Sequence, residues 1–156
     1  IGDWEDDTIV SKQSLERLKT INERVSGVVL ISKMTNGTIL ESNRVVNERL
    51  GKIPARVRKT LTRDRGFENL GYQEIEKSLN ISCYFARAYH SQDRGSNENI
   101  NGLVRRFFPK KTNFTKVSDE EVNNVEYLLN TRPRKRHGGK TPLEVLLERT
   151  GVAITY

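Results

Sequence analysis

The chain has 156 residues, 35% hydrophobic and 30% charged, which suits one globular domain with a real core and leaves too little for two. Its longest purely apolar run, residues 28–31, is far too short for a membrane span, and the first residues lack the basic-then-apolar order of a signal peptide; a soluble, cytoplasmic protein is expected. The single cysteine, Cys83, excludes an internal disulfide, stands in no zinc-type Cys/His spacing, and reads as a buried strand residue.

Residues 4–10 read as a strand, and residues 19–24 and 27–34 as two more in an antiparallel meander, the third apolar enough for burial on both faces. After Asn36-Gly37, the spacing of Ile39, Val46 and Leu50 predicts a helix over 38–50, with Gly51 at its end. A strand over 57–62, a helix over 67–79 and a strand over 81–86 follow, which gives β-β-β-α-β-α-β and a mixed sheet whose last two strands are parallel. Residues 87–96 read as a loop. Ile100, Leu103, Val104 and Phe107 then form the apolar stripe of a helix over 97–108. Ser118 with Glu121 makes a capping box for a helix to about Leu129, and Thr141-Pro142 with Glu144 opens the last helix, which ends before Gly151.

The formal charge is +7 and the pI about 9.7. The excess is local: residues 52–65 hold six Lys or Arg against one acid, residues 86–156 thirteen against eight, and residues 1–51 seven against eight. Nucleic acid is the natural polyanion for such patches, since phosphate neutralisation supplies most nonspecific affinity. Solvated basic faces account for the charge equally well.

Three acids share a context. Asp7 lies in the first strand, Asp64 ends the fourth, and Glu98 opens the amphipathic helix on the side away from its stripe, with Asn101 and Arg105 on the same polar ridge. The end of a strand in an open α/β sheet is where ligands commonly sit. Three carboxylates would partly neutralise two divalent ions and leave room for water and phosphate. On spacing alone, turn and cap roles explain the same acids.

The surrounding strings decide between these readings. Gly2-Asp3-Trp4-Glu5-Asp6-Asp7-Thr8-Ile9, Leu61-Thr62-Arg63-Asp64-Arg65-Gly66, Arg94-Gly95-Ser96-Asn97-Glu98-Asn99-Ile100-Asn101-Gly102, Asn130-Thr131-Arg132-Pro133-Arg134-Lys135 and Lys140-Thr141-Pro142 occur in this order. Together they closely resemble the DDE transposases of the insertion-sequence-thirty family, which belong with the retroviral-integrase-like cores. Residues 65–97, 33 in all, separate the second and third acids, as that pattern expects.

The resemblance implies a ribonuclease H-like α/β fold, a mixed five-stranded sheet flanked by helices, filling residues 1–156 as one catalytic core. It implies a fragment of a longer protein without its N-terminal DNA-binding module. Asp7, Asp64 and Glu98 would be both catalytic and metal-binding, holding two Mg2+ (or Mn2+) ions. The activity implied is metal-dependent cleavage of DNA at transposon ends and transfer of the 3′-hydroxyl to target DNA. A homo-oligomer in the active complex and a bacterial, nucleoid-associated location follow from the same likeness. The alternatives are a repurposed DNA-binding or assembly module of this fold and a purely hydrolytic nuclease.

The residues read as touching nucleic acid are Arg65, Arg94, Asn101, Arg105, Arg106, Lys110, Lys111, Arg132, Arg134, Lys135, Arg136 and Lys140. Three departures from the family's pattern stand out. Asp6 replaces the usual glycine, Arg65 the usual asparagine, and Ser91-Gln92-Asp93 a Pro-Trp-Gln run.

Overall fold

The computed structural model describes all 156 residues apart from the side chains of Ser91 and Arg94. Strands β1 (Asp3–Ile9), β2 (Arg17–Glu23) and β3 (Val29–Met34) form the expected antiparallel meander. Helix α1 (Ile39–Gly51) then crosses over to β4 (Thr60–Arg63), and α2 (Tyr72–Leu79) to β5 (Ser82–Phe85). Both crossovers make parallel pairs, so the order is β3-β2-β1-β4-β5 with β1 at the centre. Helices α3 (Gly95–Phe107), α4 (Asp119–Asn130) and α5 (Pro142–Thr150) complete the fold.

Alternation along the strands sends side chains to two cores. Trp4, Ile21, Leu30 and Leu61 pack with Val46, Leu50, Ile75 and Leu146 of α1, α2 and α5. Ile9, Leu18, Val29 and Ile31 pack with Ile100, Val104, Val125 and Leu129 of α3 and α4 on the other face. Residues 28–31 therefore serve both cores in turn, which is why the run is apolar throughout. Trp4 is fully buried and donates its indole N–H to Val57 O at 2.8 Å.

Helix α4 also closes the sheet at β3. Asn130 accepts from Val29 N at 2.8 Å and donates to Val29 O at 2.7 Å, and Glu126, one turn earlier, accepts from Ile31 N at 2.6 Å. Two side chains thus occupy edge groups that would otherwise invite another strand. Arg49 answers the Glu126 charge at 2.6 Å.

Several boundaries differ from the sequence reading for identifiable reasons. The strand expected over 57–62 is displaced to 60–63, because residues 55–57 close a single 3-10 turn on Pro54 O. The helix expected over 67–79 is split. Residues 67–69 make one 3-10 turn, and α2 begins after Gly71, where a side-chain carbon would collide with Ile39 and the Asn43 amide of α1. Part of the expected loop over 87–96 is a 3-10 turn running into α3, which starts at Gly95. The buried stripe of α3 is Asn97, Ile100, Val104 and Phe108, with Leu103 at its margin and Phe107 43% exposed, so the helix is rotated from the predicted wheel. Cys83 is half-buried rather than buried.

Candidate active site

The ladder between β1 and β4 pairs Trp4 with Leu61 and Glu5 with Thr62. One step further, Asp6 meets Arg63; two steps further, Asp7 comes level with Asp64, just past the end of β4. Two of the three predicted carboxylates are therefore neighbours on central parallel strands, Asp7 inside β1 and level with the C-terminal end of β4, the end at which an open α/β sheet holds its ligands. Glu98 lies exposed in the first turn of α3. With the buried stripe centred between Val104 and Asn97, Glu98 sits about 110° from it at about 100° per residue, on the helix flank with Asn101 and Arg105.

That flank faces β1. Asn101 donates its amide to Asp7 Oδ2 at 2.7 Å, while the Thr20 hydroxyl lies 3.1 Å from Asn101 Oδ1. Asp7 Oδ1 accepts from Thr8 N at 2.9 Å. Asn101, read from sequence as a nucleic-acid contact, is placed by the fold as the partner of a carboxylate. Arg105 donates to Val10 O at 2.8 Å.

Asp64 is held by the loop that follows it. Its Oδ1 accepts from Gly66 N at 2.8 Å and from the Asn69 amide at 2.5 Å. A side chain at Gly66 would meet the carboxylates of both Asp64 and Glu68, so the turn brings the two acids close together. Glu68 is a fourth acid beside the site that the sequence reading passed over.

The unusual acid, Asp6, points to the opposite face and is fully buried. Lys19 Nζ stands 2.8 Å from it and Arg63 Nη2 2.9 Å, all three side chains without solvent exposure. Burial alone would raise the Asp6 pKa, but Arg63 and then Lys19 outweigh it and hold the carboxyl below its ordinary range. The charge that departs from the family's glycine is thus neutralised inside the molecule.

The predicted cations fall into two groups. Arg65 is exposed beside Asp64. Arg105, Lys110 and Lys111, with Lys12, line an open groove of about 370 Å³ past the end of β1, and Arg106 is exposed on the same helix. Lys12 was missed because it stands alone in sequence. Arg132, Arg134, Lys135, Arg136 and Lys140 belong to a segment docked on the turn between β2 and β3. There His137 Nε2 meets Ser26 O at 2.8 Å, and the Arg136 guanidinium lies against Gly27. Arg134 caps the end of α4 through Leu129 O, and Lys140 pairs with Glu148 at 2.6 Å. Arg94 lies outside the described residues.

An all-oxygen donor set suits a hard divalent cation. Asn97, beside Glu98, adds a buried Oδ1 with no protein partner. Among the described residues, no three His, Cys, Asp or Glu side chains form a group that could hold a metal ion.

No family model matches the chain. The catalytic core domain of bovine immunodeficiency virus (BIV) integrase superposes with a TM-score of 0.74 at 19% identity, covering 96% of each chain. The fold is therefore that of the integrase-like catalytic cores, a ribonuclease H-like mixed sheet flanked by helices. The transposase of insertion sequence element IS4351 from Bacteroides fragilis is 38% identical over 143 residues, covering 92% of this chain and 44% of its own length. Transposase InsI of IS30A from Escherichia coli K12 is 36% identical over 155 residues, covering 99% of this chain and 40% of its own length. The chain is a homologue of the IS30-type insertion-sequence transposases, and spans about two-fifths of the length of these curated relatives. Among the described residues, no helix is long and apolar enough to cross a membrane.

Proposed function

We propose that the chain is the catalytic core of a DDE transposase, with Asp7, Asp64 and Glu98 as its catalytic carboxylates and DNA as its substrate. The observation that carries this reading is the juxtaposition of Asp7, on β1, with Asp64, just past the end of the adjacent strand β4, each held by an asparagine amide, with Glu98 on the helix that packs over β1. Two Mg2+ or Mn2+ ions, when bound, would activate a water or a 3′-hydroxyl and stabilise the leaving oxygen of an in-line displacement. Asp7 and Asp64 would supply fixed oxygens, and exposed Glu98 would swing in from α3. Lys12, Arg105, Lys110 and Lys111 are suited to seat the phosphodiester backbone beside Asp7, and Arg65 to hold a phosphate beside Asp64. The whole protein would join transposon ends to target DNA as a homo-oligomer in the bacterial cytoplasm, with its end-recognition module lying in the relatives' further length.

A module that binds DNA without cutting it is the second reading, favoured by the groove lined by Lys12, Arg105, Lys110 and Lys111, which can seat a phosphate backbone without any metal. Nicking and strand transfer on supercoiled plasmid in Mn2+ separate the two. Catalysis predicts activity that Asp7→Asn, Asp64→Asn and Glu98→Gln each abolish. DNA retention with no metal-dependent nicking supports the second reading.

A further inference from the structure

Behind each of the carboxylates Asp7 and Asp64 stands a side-chain amide, and consecutive residues of β2 touch the two amides. An amide can turn either its oxygen or its NH2 toward a carboxylate, and only the NH2 attracts. Lys19 can only donate, so its 3.0 Å contact with Asn69 Oδ1 leaves Asn69 Nδ2 for Asp64. At Asn101 the Thr20 hydroxyl, 3.1 Å from Oδ1, donates to that oxygen, while the acceptor-only Asp7 carboxylate takes the amide NH2. The reverse orientation would set the Asn101 oxygen against the Asp7 carboxylate. Neighbouring residues of a strand face opposite sides of the sheet, which is how one strand reaches both asparagines. Lys19 is itself fixed, by Asp6 at 2.8 Å and by Thr8 Oγ1 at 3.3 Å.

We propose that Asn69 and Asn101 are positioning residues that aim Asp64 and Asp7 at the cations, and that Lys19 locks the Asn69 amide in the donating orientation while the Thr20 hydroxyl supports that of Asn101. The inference rests on the carboxylates being the metal ligands of the proposed function. Holding one oxygen of a carboxylate fixes the direction of the group and removes rotamers that ion binding would otherwise have to freeze. On this account Asp6, foreign to the family's pattern, anchors Lys19 and through it Asn69.

The test is calorimetric titration of Mn2+ into the chain, beside melting curves recorded without metal. Asn69→Ala and Asn101→Ala are expected to weaken Mn2+ binding about 10- to 100-fold, the usual consequence of losing a partner that orients a metal ligand. Thr20→Val, which replaces the hydroxyl by a methyl, is expected to weaken it about tenfold beside a modest loss of metal-free melting temperature, and Thr20→Ser to bind and melt like the parent. The Asn101 side-chain amide protons should shift in NMR spectra of metal-free Asp7→Asn and stay in place in Asn69→Ala. Equal Mn2+ affinity for Thr20→Val and Thr20→Ser, with Asn69→Ala also unimpaired, overturns the positioning roles and leaves the metal site standing if Asp7→Asn abolishes binding. Binding that survives Asp7→Asn, or a parent chain that takes up no Mn2+, removes the metal site and the proposal with it.

Discussion

Asp6 and Arg63 form a buried ion pair at 2.9 Å, one residue past the last rung between β1 and β4. With Lys19 on the same oxygen, Oδ2, at 2.8 Å, one acid pairs with two fully buried cations. Replacing it by alanine strands both, and breaking a buried pair typically costs about 3–5 kcal/mol. Urea denaturation of Asp6→Ala should show a loss of that order; a change below about 1 kcal/mol contradicts the structure.

The same group gives a pH dependence with a definite sign. The Asp6 pKa is lower folded than unfolded, so the unfolded chain binds its proton first as pH falls. Its contribution is fully present well above the ordinary value of 3.8 and drains away as pH drops through the lower folded value. Stability measured from pH 5 downward should fall more steeply for the parent chain than for Asp6→Asn.

Asn130 binds both edge groups of Val29 from α4. Asn130→Ala leaves a buried N–H and C=O without partners, at about 1–3 kcal/mol for each group left unsatisfied. It also reopens the β3 edge, so reduced stability accompanied by concentration-dependent association is expected in denaturation and light-scattering measurements.

Cys83 sits half-buried on β5, and burial is the main cause that pushes its thiol up to about 12. The thiolate is the reacting form, so labelling of the native protein by iodoacetamide at pH 8 should be far slower than labelling in denaturant. Equal rates would show that β5 is open.

The cationic groove predicts a salt signature. If Lys110 and Lys111 each neutralise one phosphate, Lys110→Ala/Lys111→Ala should reduce the slope of log affinity against log salt by about 2 on duplex DNA. An unchanged slope moves the DNA path elsewhere.

The two-sided apolar run at residues 28–31, both capping boxes and the mixed sheet were legible because each depends on local pattern. The proposed carboxylate assignment rests on the surrounding strings, to which the fold adds that Asp7 and Asp64 stand level on neighbouring strands. The Asp6 cluster was not legible, because its partners lie 13 and 57 residues away and meet it through strand pairing. Phe107 and Phe108 exchanged roles because a helical stripe read from adjacent apolar residues does not fix which one faces the sheet. Asn101 looked like a ligand contact because its true partners, Asp7 and Thr20, are brought to it only by the packing of α3 on β1 and β2.

The central claim is that Asp7, Asp64 and Glu98 close around divalent cations. Anomalous diffraction from crystals grown with Mn2+ tests it most directly. The account predicts Mn2+ peaks between the Asp7 and Asp64 carboxylates, with Glu98 turned in from α3 to meet them. Ordered density for all three side chains in their metal-free positions, with Mn2+ absent from the site or bound elsewhere, would contradict it.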